Sequence, residues 1–173
     1  MRKLFILITF FLVSLTALTQ ELVNYKDTIN RISINLPIGW KYGVNKNFPS
    51  LILIAYRAPS NLTDTSRESL NMNVIDTPQK DLDKTFSGFI QSLADAKNFK
   101  LIETGDRIIN GIKCKWLIET HTNSQVDLQM HNYDFVTLKD GKTFVLTMVC
   151  FSRSFDSTKP LFDRIAESFT FLN

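Results

Sequence analysis

The chain has 173 residues, with 20 Lys+Arg against 17 Asp+Glu, two His and two Cys. Hydrophobic residues at 44% and charged residues at 21% supply a packed core and exclude wholesale disorder. Two Cys exclude a disulfide-built scaffold, six Gly and five Pro exclude a collagen-like or linker-dominated chain, and the length is that of one domain.

The first residues have the pattern of a leader. Arg2 and Lys3 precede an uncharged, almost wholly apolar run from Leu4 to Leu18, and Ala17 and Thr19 occupy −3 and −1 of a cleavage before Gln20. This pattern predicts a secretory signal peptide over residues 1–19. The run is shorter than the ~20 residues of a spanning helix. An exported protein, periplasmic or extracellular, is therefore expected. No Cys precedes Cys114, so a lipoprotein is not expected, and no second long apolar run predicts stable membrane insertion. Without Arg2 and Lys3 the balance is 18 basic against 17 acidic residues, a net +1. That near-neutral charge leaves no electrostatic footprint for nucleic acid.

Residues 20–27 read as a short lead-in to a domain over 28–173. Residues 31–36 alternate Ile32, Ile34 and Leu36 with polar residues, which predicts a half-buried strand ended by Pro37, with a turn at Gly39-Trp40. Residues 51–57 and 70–75 are further strands, separated by a polar loop over 61–68. Its Asn61-Leu62-Thr63 is a sequon by chance, and its Asp64 and Glu68 are expected to be solvated. Thr77-Pro78 predicts a helix start. Leu82, Phe86, Phe89, Ile90 and Leu93 make one apolar stripe on a helix over 78–97, with Asp81 and Asp83 as N-terminal charge.

The second half reads as a β-meander. Leu101–Asn110 is a strand bulged at Gly105, and Asn110-Gly111 is a hairpin turn. Ile112–Thr120 follows, with Cys114, Trp116 and Ile118 on one face and Lys113, Lys115 and Glu119 on the other. A polar turn over 121–125 leads to a strand over 126–138, whose apolar phase changes near His131–Asn132, as a bulge would make it. After Asp140-Gly141, residues 143–151 are apolar on both faces and predict a covered central strand. A last helix starts near Asp156 or Ser157 with Pro160 in its first turn, and Ser168–Phe171 closes the chain. The expected fold class is α+β: one domain with an antiparallel sheet and helices packed on it.

The strand running into Leu36-Pro37-Ile38-Gly39-Trp40, the Asn110-Gly111 turn, the strand Phe144–Met148 and the closing helix before Ser168-Phe169 resemble the PsbP-like family over most of residues 28–171. The resemblance implies a single-domain α/β/α sandwich around a central, mostly antiparallel sheet. It also implies relatives that are mostly non-enzymatic: extrinsic subunits of photosystem II, a Ran-binding nuclear import factor and small exported bacterial proteins. It carries over no functional residue, and a fold of this kind does not fix function.

Catalytic motifs are absent: the sequence holds no Gly-x-Ser-x-Gly, His-Glu-x-x-His, Cys-x-x-Cys or phosphate-cradling loop. His121 is expected in a solvated turn. Hairpin registers set Cys114 and Cys150 on the strands flanking His131, near its level. That placement raises two alternatives, a Cys/His/Cys metal cluster and a Cys114–Cys150 disulfide. With a strand between them the two Cys are too far apart for a disulfide, and two buried thiols are expected. Trp40 is expected as a core anchor, with Tyr42 beside it. The sequence assigns no catalytic, cofactor or metal residue and leaves the binding surface unknown. The expected function is that of an exported non-catalytic accessory or protein-binding domain of the cell envelope, with an unidentified envelope or secreted partner. The alternative is a carrier or sensor of a small apolar ligand, for which 11 of the 14 Phe remain after the leader. An enzyme would require Asp, Glu, His131 or Tyr converging in one cleft.

Overall fold

The computed structural model describes residues 20–173 apart from Lys46 and Ser66, so the expected leader lies outside the described residues. The first half contains β1 (Leu22–Asp27), β2 (Ile32–Pro37), β3 (Trp40–Gly43), β4 (Leu51–Arg57), β5 (Ser69–Asp76) and α1 (Leu82–Leu93). The second contains β6 (Lys100–Ile109), β7 (Ile112–Asn123), β8 (Leu128–Lys139), β9 (Lys142–Phe151), α2 (Phe155–Glu167) and β10 (Thr170–Phe171). Seven strands pair antiparallel in the order β3-β4-β5-β9-β8-β7-β6. One face of this sheet carries α1, whose Phe86 packs with Leu117, Val136 and Val145. The other face carries α2 and a small sheet, β1-β2-β10, which share the larger core. The expected layers are thus present, and β9 is covered on both faces as its sequence predicts.

The small sheet is an addition to the expected architecture. Residues 22–27, read as lead-in, pair along the whole of β2. Ser33, expected to face solvent, is buried and accepts a hydrogen bond from Asn24 Nδ2 at 2.7 Å. Trp40 is buried in the main core, as expected of an anchor.

Several boundaries differ from expectation for local reasons. Asp81, not Thr77, caps α1: its Oδ1 accepts from Asp83 N and Lys84 N at 2.9 and 3.2 Å. Thr77 N instead donates to Gly141 O, at the β8–β9 turn. Pro160 lies beyond the first turn of α2, because the helix already begins at Phe155. The β8 strand carries no bulge at His131–Asn132; its pairing to β7 and β9 runs without a shift. Its apolar phase changes because it is buried by α1 on one face and by the main core on the other. The break in β6 lies between Leu101 and Glu103, not at Gly105.

Gly105 has a different reason to be glycine. It pairs with Trp116, and a Cβ there would lie 2.7 Å from the indole ring. Trp116 in turn stands edge-on to Tyr133, with centroids 5.8 Å apart. Gly105→Ala is expected to displace the indole and lower stability by about 1–3 kcal/mol. A thermal midpoint equal to that of the unmodified protein would show that the ring yields at no cost.

The Asn110-Gly111 and Asp140-Gly141 turns form as expected, with all four residues at positive φ. Asn110 does more than turn: its Nδ2 donates to Glu167 O and Phe169 O at 2.9 Å each, tying the β6–β7 hairpin to the end of α2.

Candidate functional site

Alternate residues on the α1 face of the sheet change character along each strand. On β8, Leu128 and Met130 are followed by Asn132 and Asp134 and then by Val136. On β9, read backwards, Phe151 lies opposite Met130, Val149 opposite Asn132, Thr147 opposite Asp134 and Val145 opposite Val136, so the apolar floor reaches one step further on β9 than on β8. On β7, Asn123 gives way to His121, Glu119 and Leu117. The face is therefore divided into three bands: an apolar floor at one end, a polar belt, and the small core under α1.

The apolar floor is open and forms a groove of about 820 Å³. Leu128, Met130, Val149 and Phe151 line its base. The 58–68 loop stands on one side and the 124–127 turn on the other. Asp64 organises the loop. Its carboxylate takes a bidentate contact from Arg57 at 2.8 and 2.9 Å and accepts from Ser60 N and Oγ at 2.8 Å. Glu68 holds Arg57 Nε at 2.6 Å. Asp64 and Glu68 are thus not the solvated pair expected from sequence; both are largely buried against one guanidinium, whose pKa those hydrogen bonds raise. Arg153 donates to Thr65 Oγ1 at 3.0 Å and lies 4.9 Å above the Phe151 ring, which fixes it at the edge of the groove.

The polar belt holds two buried carboxyls. Glu119 and Asp134 are each 1% exposed, and burial pushes both up to about 7. Thr147 Oγ1 donates to Asp134 Oδ1, while Asp134 Oδ2 and the neighbouring Asn132 Oδ1 have no hydrogen-bond partner among the described residues. His121 Nδ1 lies 3.0 and 3.2 Å from the two Glu119 oxygens. Burial lowers the His121 pKa as it raises that of Glu119, so desolvation disfavours the charged form of both partners. Neither Glu119 nor Asp134 lines the groove. The carboxyls of the belt are closed off from the groove.

The other sequence candidates are placed apart. His121 lies on β7, which runs to Asn123 instead of ending at Thr120. That extension moves the β7–β8 turn and shifts the register. His131 does face Cys150, but Cys114 lies level with Thr137, six residues along β8. At ~3.3 Å per residue that offset is about 20 Å, so neither the Cys/His/Cys cluster nor the disulfide is geometrically available. Both thiols are free and buried, and burial raises each to about 11. Among the described residues no group of three or more His, Cys, Asp or Glu is placed to hold a metal ion. His131 instead hydrogen-bonds Ser152 Oγ at 2.9 Å and stacks on Phe155 at 4.4 Å. Asp81 and Asp83 serve α1 as expected, Asp83 also meeting Lys115 at 2.6 Å.

Among the described residues the phenylalanines do not enclose a ligand chamber. The gap left between Phe135, Phe144 and Phe169 in the main core is about 10 Å³, far below the ~300 Å³ at which small-molecule pockets begin. No helix among the described residues is long and apolar enough to cross a membrane.

The family model described as PsbP matches residues 20–171. No curated protein matches the sequence. Among solved structures, the cyanobacterial PsbP of Synechocystis sp. PCC 6803 is 19% identical, with 90% of this chain and 95% of that chain covered and a TM-score of 0.67. LpqN of Mycobacterium tuberculosis, described as involved in cell envelope biogenesis, is 13% identical, with 88% and 91% covered and a TM-score of 0.60. The Ran-binding protein Mog1p of Saccharomyces cerevisiae is 9% identical, with 89% and 97% covered and a TM-score of 0.61. At these identities the similarity establishes a common fold.

Proposed function

The chain belongs to the PsbP family, and on that premise we propose that it is an exported, non-catalytic accessory domain of the cell envelope that binds another protein through the groove. The groove is the observation that carries the reading. It combines an apolar floor, a rim of arginines and an amide-rich turn, the composition of protein contact surfaces. Its lining contains no His and no Cys, and its one carboxylate, Glu68, is engaged by Arg57. The signal-peptide pattern of residues 1–19 supports export. Structural relatives described as Ran-binding and as involved in envelope biogenesis are compatible with a binding role on this fold. The carrier reading loses its internal chamber, since the core is filled.

A photo-crosslinking residue placed at Val126 or Leu128, in cells that make the protein naturally, tests the proposal. A discrete protein adduct is expected from these positions and not from Ile108, an exposed residue on the distant β6 edge. Equal adducts from all three positions, or none from the groove, would sink it.

A further inference from the structure

We propose that the groove docks an extended, acidic segment of about six residues from the partner protein, with carboxylates over the arginine wall and apolar side chains over the β8 end. This rests on the protein-binding reading above and adds the chemistry of the partner.

The length follows from the sheet. The lining comes from five adjacent strands: Tyr56 and Arg57 of β4, Ser69 of β5, Val149 and Phe151 of β9, Leu128 and Met130 of β8, and Asn123 of β7. Four interstrand spacings of ~4.8 Å make a trough about 19 Å long, and an extended chain rising ~3.3 Å per residue crosses it in about six residues. The trough has two walls and no roof, which admits a segment of a larger chain without threading.

The charge is one-sided. Three arginines, Arg57, Arg67 and Arg153, line the groove against one carboxylate, Glu68. Counting Asp64 behind Arg57 as well, this wall keeps a positive excess. Arg153 is already oriented by Thr65 and Phe151, so presenting its fork to a carboxylate costs little further ordering. At the opposite end the lining residues Gln125, Val126 and Leu128 are uncharged, and the turn's one carboxylate, Asp127, is paired with Lys97 at 2.7 Å. Val126 and Leu128 there are 57% and 42% exposed and offer apolar contact. A ligand matched to both ends bears acid at one end and aliphatic or aromatic side chains at the other.

The test uses two labelled hexapeptides, Asp-Glu-Leu-Val-Phe-Leu and Lys-Lys-Leu-Val-Phe-Leu, titrated by fluorescence anisotropy into the protein expressed from its full sequence. The acidic probe is expected to bind at least tenfold more tightly, and its affinity to fall as salt rises. Arg67→Glu combined with Arg153→Glu, and separately Leu128→Glu, are each expected to weaken it at least tenfold, while Ile108→Glu leaves it unchanged. Thermal midpoints verify that each variant folds; where a charge reversal does not, Arg153→Gln and Leu128→Ser replace it. Equal binding of the two probes overturns the proposal, as does binding of dodecanoate without binding of the acidic peptide. A groove crosslink to a partner without any acidic preference overturns this inference alone. Absence of both crosslink and peptide binding overturns the protein-binding reading with it.

Discussion

Asp134→Asn is expected to stabilise the protein by about 2–4 kcal/mol at pH 8 and to change little at pH 4. Asp134 sits in the polar belt with its pKa pushed up to about 7, chiefly by burial and further by the neighbouring Glu119 charge, while the Thr147 hydroxyl works in the opposite direction. In the unfolded chain the same carboxyl ionises at an ordinary value near ~4. Below that value both states are protonated and nothing is lost. Between about 4 and 7 the unfolded chain has released the proton and the folded one has not, so stability falls as pH rises. Above 7 both are ionised and the loss stays constant. Holding a carboxyl at about 7 instead of 3.8 corresponds to about 4 kcal/mol. Asparagine keeps an oxygen for the Thr147 hydroxyl and carries no charge to desolvate. Glu119→Gln is expected to act in the same direction but less, because it also weakens the contact with His121 Nδ1 at 3.0 Å. The double variant gains less than the sum, since each carboxyl raises the cost of ionising the other. Urea unfolding at pH 4, 6 and 8 reads all of this. Curves for Asp134→Asn that stay parallel to those of the unmodified protein would mean that Asp134 is ionised at no cost in the folded state.

The order of the elements was legible because each has a local signal: the stripe of α1, the two turns at positive φ, and the doubly apolar run of β9. The small sheet was not. The β1 sequence has no clean alternation, and β10 is two residues long, so only contact with β2 makes either a strand. The site escaped for a related reason. The groove belongs to no segment; five strand ends and two loops meet to form it, and nothing in residues 61–68 announces that Asp64 and Glu68 turn inward onto Arg57. The polar belt had one readable trace, an aspartate set between Tyr133 and Phe135 in a strand otherwise suited to burial. Its meaning depends on register, and register depended on where the β7–β8 turn falls. Placing that turn two or three residues too early moved the partner of Cys114 by about twice as much, because both strands shift. One small error in a hairpin therefore assembles a false metal cluster and conceals a real carboxyl pair.

Phe162→Ala is expected to cost about 3–5 kcal/mol. Phe162 is 0% exposed on α2, in the core shared by the main sheet and the small one. The cost is set by how little the surroundings can collapse. Three layers converge on this side chain's cluster: α2 with Ile165 and Ala166, β2 with Ile32 and Ile34, and β9 with Met148 and Cys150. The gap of about 10 Å³ in that core lies at Met72, Phe135 and Phe169, away from Phe162, and a close-packed interior relaxes only partly around a deleted ring. For a domain of this size the loss corresponds to a fall of roughly 6–20 °C in Tm. Phe86→Ala on α1 is expected to cost less, because its cluster has only four buried members and rests on one face of one sheet. The comparison tests the layered architecture itself. The α2 layer welds the small sheet to the large one, whereas α1 covers only part of its face and leaves the rest of that face as the groove. If thermal unfolding gave equal losses for the two substitutions, α1 would be as deeply integrated as α2, and the open band beside it would not be a consequence of its limited reach.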